Sequence, residues 1–242
     1  MRKDSAPDIS IVILCYKAGD LVPNFVARMK KVFEDKDLSY EIVLVANYND
    51  YEIGRDKTPD VVSELARRDS TLKIVANPKE GMMGWDMKSG LKVASGNTIA
   101  VIDGDGQMPP EDVLRVYEFL VSGGFDMVKT YREERFDGSL RLVISRVYNI
   151  FLKILFPRVK VRDANSKPKI FTREALKKLR IRQDDWFIDA EIIIQATYLN
   201  FKIGEIPTKF YENKFRKSFI KFSTVAQFIK NLLIYRFRTL FP

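Results

Sequence analysis

Asp103 and Asp105 stand one residue apart in VIDGDGQMPPED, residues 101–112, after an apolar run and before a double proline. Three chemistries use carboxylates so placed: a calcium loop, a turn, or a metal clamp for a phosphorylated substrate. Spacing argues against the calcium loop. Counted from Asp103, its sixth position is Met108, where Gly is needed, and its twelfth is Leu114, where a bidentate acid belongs. Counted from two residues earlier, it begins on Val101, and in either register a strand precedes it. A turn accepts Asp and Gly, yet it gains nothing from two like charges crowded together. An Asp-x-Asp clamp accounts for the whole stretch. Mg2+ or Mn2+ prefers carboxylate oxygens and substrate phosphates, so Asp105, Asp103 and the amide oxygen of Gln107 form the expected ligand set. Gly104 and Gly106 are small enough for the backbone to approach a diphosphate.

The rest of the composition narrows the chemistry. The 242 residues contain no histidine and a single cysteine, Cys15, inside an apolar run. Ser-His and Cys-His nucleophile pairs, imidazole bases, His-ligated zinc and internal disulfides are thereby excluded, and the cysteine usage fits a reducing compartment. Residues 1–128 hold 16 Lys/Arg against 21 Asp/Glu, whereas residues 129–242 hold 25 against 11. The second half is expected to face something anionic, or else to be a basic solvated surface. Within it, Arg141 and Ser145 are four apart on one helix face. The stretch DDWFIDAEI (184–192) offers Asp185, Asp189 and Glu191 as carboxylate bases, should an acceptor hydroxyl need one.

Positioning these groups requires a layered frame. ISIVILC (9–15), YEIVLVA (40–46), TLKIVAN (71–77), NTIAVID (97–103) and FDMVKT (125–130) read as strands. They alternate with helical patterns at 19–34, 58–69, 81–96 and 109–124, with Gly96 expected as a C-cap of the third. Such alternation predicts an α/β fold, a mainly parallel sheet flanked by helices. Ligands then bind beyond the carboxyl ends of the strands, where loops 16–20, 47–57, 77–85 and 103–108 converge. Further on, the pattern predicts helices at 139–157, 186–200 and 222–241, a short strand after 161–171, and a strand at 201–211.

SIVILCYKAGD, EIVLVANYND, GMMGWDMKSGLKVASGN and VIDGDGQMPPEDV occur in the order seen in family 2 inverting glycosyltransferases of the GT-A fold, and the chain resembles that family from about residue 9 to 220. Downstream it is most similar to the dolichyl- and polyprenyl-phosphate sugar synthases. KTYRE, LRLVIS and RDANSKPKI match that subgroup's phosphate-binding positions, and WFIDAEI its helix acid. The resemblance implies a single GT-A (Rossmann-like) domain over 1–220, with a nucleotide-sugar half (1–108), an acceptor half (109–220) and a basic amphipathic helix at 221–242. It implies donor contacts at Leu14, Tyr16, Asp20, Asn47, Lys79, Gly84, Asp103 and Gly104. Acceptor-phosphate contacts are implied at Arg132, Arg141, Ser145, Lys169, Lys214 and Ser218, with Asp163 and Ser166 in the same loop pattern. Catalytic roles fall to Asp103, Asp105, Arg132, Arg141 and Glu191. The sequence departs from the family at Lys17-Ala18, where an acid is usual and Asp20 is the substitute, and at Ala46-Asn47, where two aspartates are usual.

The implied activity is metal-dependent transfer from a nucleoside-diphosphate sugar to a polyprenyl phosphate. Transfer to a sugar hydroxyl of a polysaccharide and a non-catalytic sugar-nucleotide binder are the alternatives. FSTVAQFIKNLLIYRFRTLF (222–241) places Val225, Phe228, Ile229, Leu232, Leu233 and Phe237 near one stripe, beside Lys221, Lys230, Arg236 and Arg238. Such a helix suits an anionic membrane interface, the domain core or a second copy of the chain. No nucleic-acid motif accompanies the charge. The N-terminus lacks the apolar core of a signal peptide, and no uncharged run approaches a bilayer span. The expectation is a cytoplasmic protein, peripheral on the cytoplasmic face of a membrane.

Overall fold

The structure, a computed structural model, describes residues 6–136, 139–213 and 222–240. Its strands are β1 (Ile9–Leu14), β2 (Tyr40–Val45), β3 (Leu72–Val75), β4 (Thr98–Asp103), β5 (Met127–Arg135), β6 (Lys169–Thr172) and β7 (Ile203–Phe210). The helices are α1 (Leu21–Glu34), α2 (Thr58–Arg68), α3 (Met83–Val93), α4 (Glu111–Gly123), α5 (Ser139–Leu155), α6 (Arg173–Lys178), α7 (Ile188–Tyr198) and α8 (Phe222–Leu240). All seven strands join one sheet in the order β3-β2-β1-β4-β6-β5-β7.

β1 is buried on both faces along its whole length, as a continuous apolar run in a covered parallel sheet must be. It pairs in parallel with β2 on one side and β4 on the other. β6 is the exception to parallel order, inserted antiparallel between β4 and β5. Two apolar layers cover the sheet. Ile9, Ile11 and Ile13 pack against α1, α2 and α4. Val12 and Leu14 face the layer containing α3, α5, α7 and α8. α7 is apolar almost all round and is buried from Ile188 to Ile194, as expected of a helix inside the fold.

Local signals explain most boundaries. α4 follows Pro109-Pro110 and stops at Gly124, whose φ of +57° is the left-handed cap that favours glycine. α3 ends at Val93, so Gly96 is not its cap. Gly96 instead lies against β1, where a Cβ would come within 2.6 Å of the Ser10 nitrogen. α8 divides its stripe: Phe228 and Leu232 enter the core, while Leu233 and Phe237 stay exposed. Phe228 packs on Tyr148 of α5 with ring centroids 5.5 Å apart. Among the described residues, no helix is long and apolar enough to cross a membrane.

Candidate active site at the strand ends

The acidic turn begins where β4 stops. The Gly104 nitrogen donates to the Leu14 carbonyl at 2.8 Å, tying the turn to the end of β1. A Cβ at Gly104 would meet Ile13 Cγ2 at 2.9 Å, so packing against β1 favours glycine there. Gly106 is required by conformation, with φ of +74° and open space around it. Asp105 is buried and its Oδ1 accepts from the Gln107 backbone nitrogen at 3.1 Å. Gln107 Nε2 donates to the Tyr211 carbonyl, which fixes the orientation of the amide.

Asp103 has a second environment. Lys167 Nζ lies 3.3 Å from its Oδ2 and 3.2 Å from Asp189 Oδ2, and Lys169 Nζ lies 2.6 Å from Asp189 Oδ1. Burial pushes the Asp103 carboxyl above its ordinary range, with Lys167 opposing and Asp105 and Asp189 adding to the shift. Burial works against the Lys167 ammonium, but Asp103 and Asp189 outweigh it and raise its pKa. Asp103, Asp105 and Gln107 supply only oxygen donors on one turn, a set that fits Mg2+ or Mn2+ completed by phosphate oxygens. Among the described residues, no group of three or more His, Cys, Asp or Glu forms a closed metal cage.

The loop after β1 meets the short 3-10 turn Asp50–Glu52. The Tyr16 hydroxyl donates to Glu52 Oε2 at 2.9 Å, Asn49 Nδ2 donates to the same oxygen at 2.8 Å, and Lys17 ion-pairs with Glu52. Burial pushes the Glu52 carboxyl up, yet Lys17, Asn49 and Tyr16 together hold it below the usual carboxylate range. Lys79 Nζ sits 3.8 Å from the Tyr16 ring centroid and pairs with Asp86. Sequence reasoning singled out neither Glu52, which lies outside the matched stretches, nor Asp86, which stands inside GMMGWDMKSGLKVASGN but was given no role there.

Asn47 needs correction as a donor contact. It is fully buried, its amide nitrogen donating to Asp86 and Ser89 and its oxygen accepting from the Asn77 nitrogen. It orients Asp86, and through it Lys79. Gly84 is also structural, since a Cβ there would lie 2.5 Å from the Gln183 carbonyl oxygen. Asp20 is exposed at the start of α1 and caps no backbone nitrogen.

Arg132 Nε and Nη2 form a two-point pair with Asp163 at 2.6 and 2.9 Å, and Ser145 Oγ is 3.5 Å from Nη2. The Asp163 carboxyl is held far below its usual range: burial pushes it up, but Arg132, with Lys129 and Lys169, outweighs it. Arg141 is half-buried on α5, four residues before Ser145. Ser166 Oγ pairs with Thr130 Oγ1 at 2.7 Å. Lys169, expected on the acceptor phosphate, is fully buried and committed to Asp189 and the Ser166 carbonyl. Glu191, expected to be catalytic, is buried and accepts from the Arg182 and Gln183 backbone nitrogens. It holds the loop whose Asp184 carbonyl accepts from the Met82 and Trp85 nitrogens at the start of α3. Lys214 and Ser218 lie outside the described residues.

The seven-stranded, mainly parallel sheet and its acidic turn at the strand ends define a GT-A-type fold. Residues 10–180 match the family model "Glycosyl transferase family 2", and the chain belongs to that family. It is 25% identical over 208 residues to glycosyltransferase AglD of Haloferax volcanii, covering 83% of this chain and 32% of that protein. It is 29% identical over 144 residues to the undecaprenyl-phosphate 4-deoxy-4-formamido-L-arabinose transferase of Pseudomonas syringae pv. syringae, covering 59% of this chain and 41% of the relative. The chain thus spans well under half the length of these two curated relatives. Glucosyl-3-phosphoglycerate synthase from Mycobacterium tuberculosis, solved with Mn2+, UDP-glucose and phosphoglyceric acid, shares the fold. Its TM-score is 0.72 at 16% identity, covering 95% of this chain and 79% of that one.

Proposed function

We propose that the chain is an inverting glycosyltransferase that moves a sugar from a nucleoside-diphosphate sugar to a polyprenyl phosphate, with a divalent cation at the acidic turn. The observation that carries this reading is segment 163–167. Its Asp163 end grips Arg132 and its Lys167 end grips Asp103, so one short segment couples a phosphate-suited guanidinium to the acidic turn. A relative that is named for acting on undecaprenyl phosphate supports the same acceptor class.

In the proposed reaction an oxygen of the acceptor phosphate attacks the anomeric carbon. The bond from that carbon to the donor diphosphate breaks, and the nucleoside diphosphate leaves on the opposite side. A phosphate monoester is already ionised at neutral pH, so no side chain has to remove a proton. Asp163 fixes the plane of the Arg132 guanidinium, and Arg132, Arg141 and Ser145 orient the acceptor. Asp103, Asp105 and Gln107 would hold Mg2+ or Mn2+, which when bound supplies charge neutralisation for the diphosphate. Tyr16, Lys79 and the Glu52 turn line the donor end.

Transfer to a sugar hydroxyl is less well supported, because its candidate bases are committed elsewhere. Asp189 is buried between Lys167 and Lys169. Asp185 accepts from the Phe187 nitrogen and from Asn231 Nδ2. Incubation with undecaprenyl phosphate, Mn2+ and a panel of UDP-, GDP- and dTDP-sugars tests the proposal. One donor should transfer its label into the organic phase, whereas label found only on added oligosaccharides would refute the phosphate acceptor.

A further inference from the structure

β4 and β6 run antiparallel with Val101 opposite Lys169. Lys167 stands two residues before β6 begins, and Asp103 two residues beyond Val101 at the end of β4. Their side chains meet at 3.3 Å. Lys167 is also 3.2 Å from Asp189 Oδ2 and 3.3 Å from Met83 Sδ, and its side chain is only 3% exposed. An ammonium so buried persists only when paired, and two carboxylates provide that. Lys169 occupies the other oxygen of Asp189, so Asp189 alone does not satisfy both lysines.

We propose that Lys167 is a positioning residue, the resident counter-cation of the acidic turn, which withholds one Asp103 oxygen and makes divalent-cation binding depend on the nucleoside diphosphate. This rests on the reading of residues 103–107 as a cation clamp. With Asp103 Oδ2 paired, a cation meets a reduced carboxylate charge and a nearby ammonium that repels it. The diphosphate brings the negative charge that reverses this balance. Lys167 would thereby tie occupancy of the clamp to the presence of the nucleoside diphosphate.

Calorimetric titration of the full chain with MnCl2, alone and with saturating UDP or GDP, tests this in wild type, Lys167→Met, Lys167→Gln and Asp105→Ala. Wild type should bind Mn2+ at least about tenfold more tightly with a nucleotide than without. Both Lys167 variants should bind Mn2+ alone at least about tenfold more tightly than wild type does, so that the nucleotide adds less. Gln keeps a donor for the two carboxylates without the charge, and it decides the question if the Met variant does not melt cooperatively. Unchanged or weaker Mn2+ affinity in a folded variant overturns the role of Lys167. Loss of cooperative melting in both variants does so too, because Lys167 would then be holding the fold. Mn2+ binding that is the same in Asp105→Ala under every condition overturns the clamp itself, and this inference with it.

Discussion

Asp105 and Asp103 share a turn but do different work. Asp105 stands on a turn built by its own bond to the Gln107 nitrogen, whereas Asp103 is joined through Lys167 to a buried network reaching Asp189. Asp105→Ala should therefore lower kcat by about 100-fold or more, the usual loss when a stabiliser of developing charge is removed. The thermal midpoint should fall by only a few degrees, the cost of losing one buried turn hydrogen bond. Steady-state kinetics beside a melting curve check both. Arg132→Lys keeps the charge but loses the two-point pair with Asp163. Its KM for the lipid phosphate should rise about tenfold with the donor KM unchanged; a rise in the donor KM instead would place Arg132 on the wrong substrate. The acidic pair was legible in the sequence because strand, spacing and small neighbours all pointed one way. Asn47 and Lys169 were not, because polar type alone does not reveal burial. Each is committed to a carboxylate distant in sequence, Asn47 to Asp86 39 residues on and Lys169 to Asp189 20 residues on.

At the scale of elements, strand and helix alternation through β5 was readable from apolar runs, and Gly124 and the double proline marked the ends of α4. The antiparallel insertion of β6 was not readable. A four-residue strand carries too little periodicity to declare its direction, and that direction places the start of β6, with Lys167 just before it, at the end of β4 beside Asp103. Loop packing also stayed hidden, as Gly84 illustrates. A methyl group there would collide with backbone of residues 183–185, so Gly84→Ala should destabilise the protein by about 1–3 kcal/mol. The melting midpoint should fall by about 2–4 °C per kcal/mol. Glu41 makes a pH-dependent joint between β2 and the turn before β4. It accepts from Ser10 Oγ, the Ser95 nitrogen and Ser95 Oγ, and pairs with Lys73. Burial alone would raise its pKa, but Lys73 and these donors lower it to about 2 from an ordinary 4.5. A folded pKa below the unfolded one means stabilisation that is complete above pH 4.5 and is lost as pH falls toward 2. Urea unfolding should accordingly show Glu41→Gln well below wild type at pH 7, with the gap closing by about pH 2.

At the scale of the whole molecule, the charge division seen in the sequence is laid out around one sheet. The acidic half carries β1 to β4 and the acidic turn, and the basic half carries Arg132, α5 and α8. α5 turns Tyr148 and Leu152 into the core but leaves Val143, Ile150 and Ile154 exposed, and α8 leaves Leu233 and Phe237 exposed beside it. Joined to Arg146, Lys153 and Lys230, these side chains make a surface suited to an anionic lipid interface. Replacing Ile150 and Ile154 together by Asp should reduce sedimentation with anionic vesicles about tenfold or more, since each change removes buried apolar area and adds a repelled charge. Activity on a short-chain, water-soluble prenyl phosphate should persist in that variant. The central claim, transfer to a lipid phosphate, is tested most directly by isolating the product made from undecaprenyl phosphate, Mn2+ and the accepted sugar nucleotide. A lipid-linked sugar of inverted anomeric configuration, released by mild acid and stable to mild base, absent with Asp105→Ala, is the predicted result. Sugar recovered on hydroxyl acceptors or as the free sugar, with none on the lipid phosphate, would contradict it.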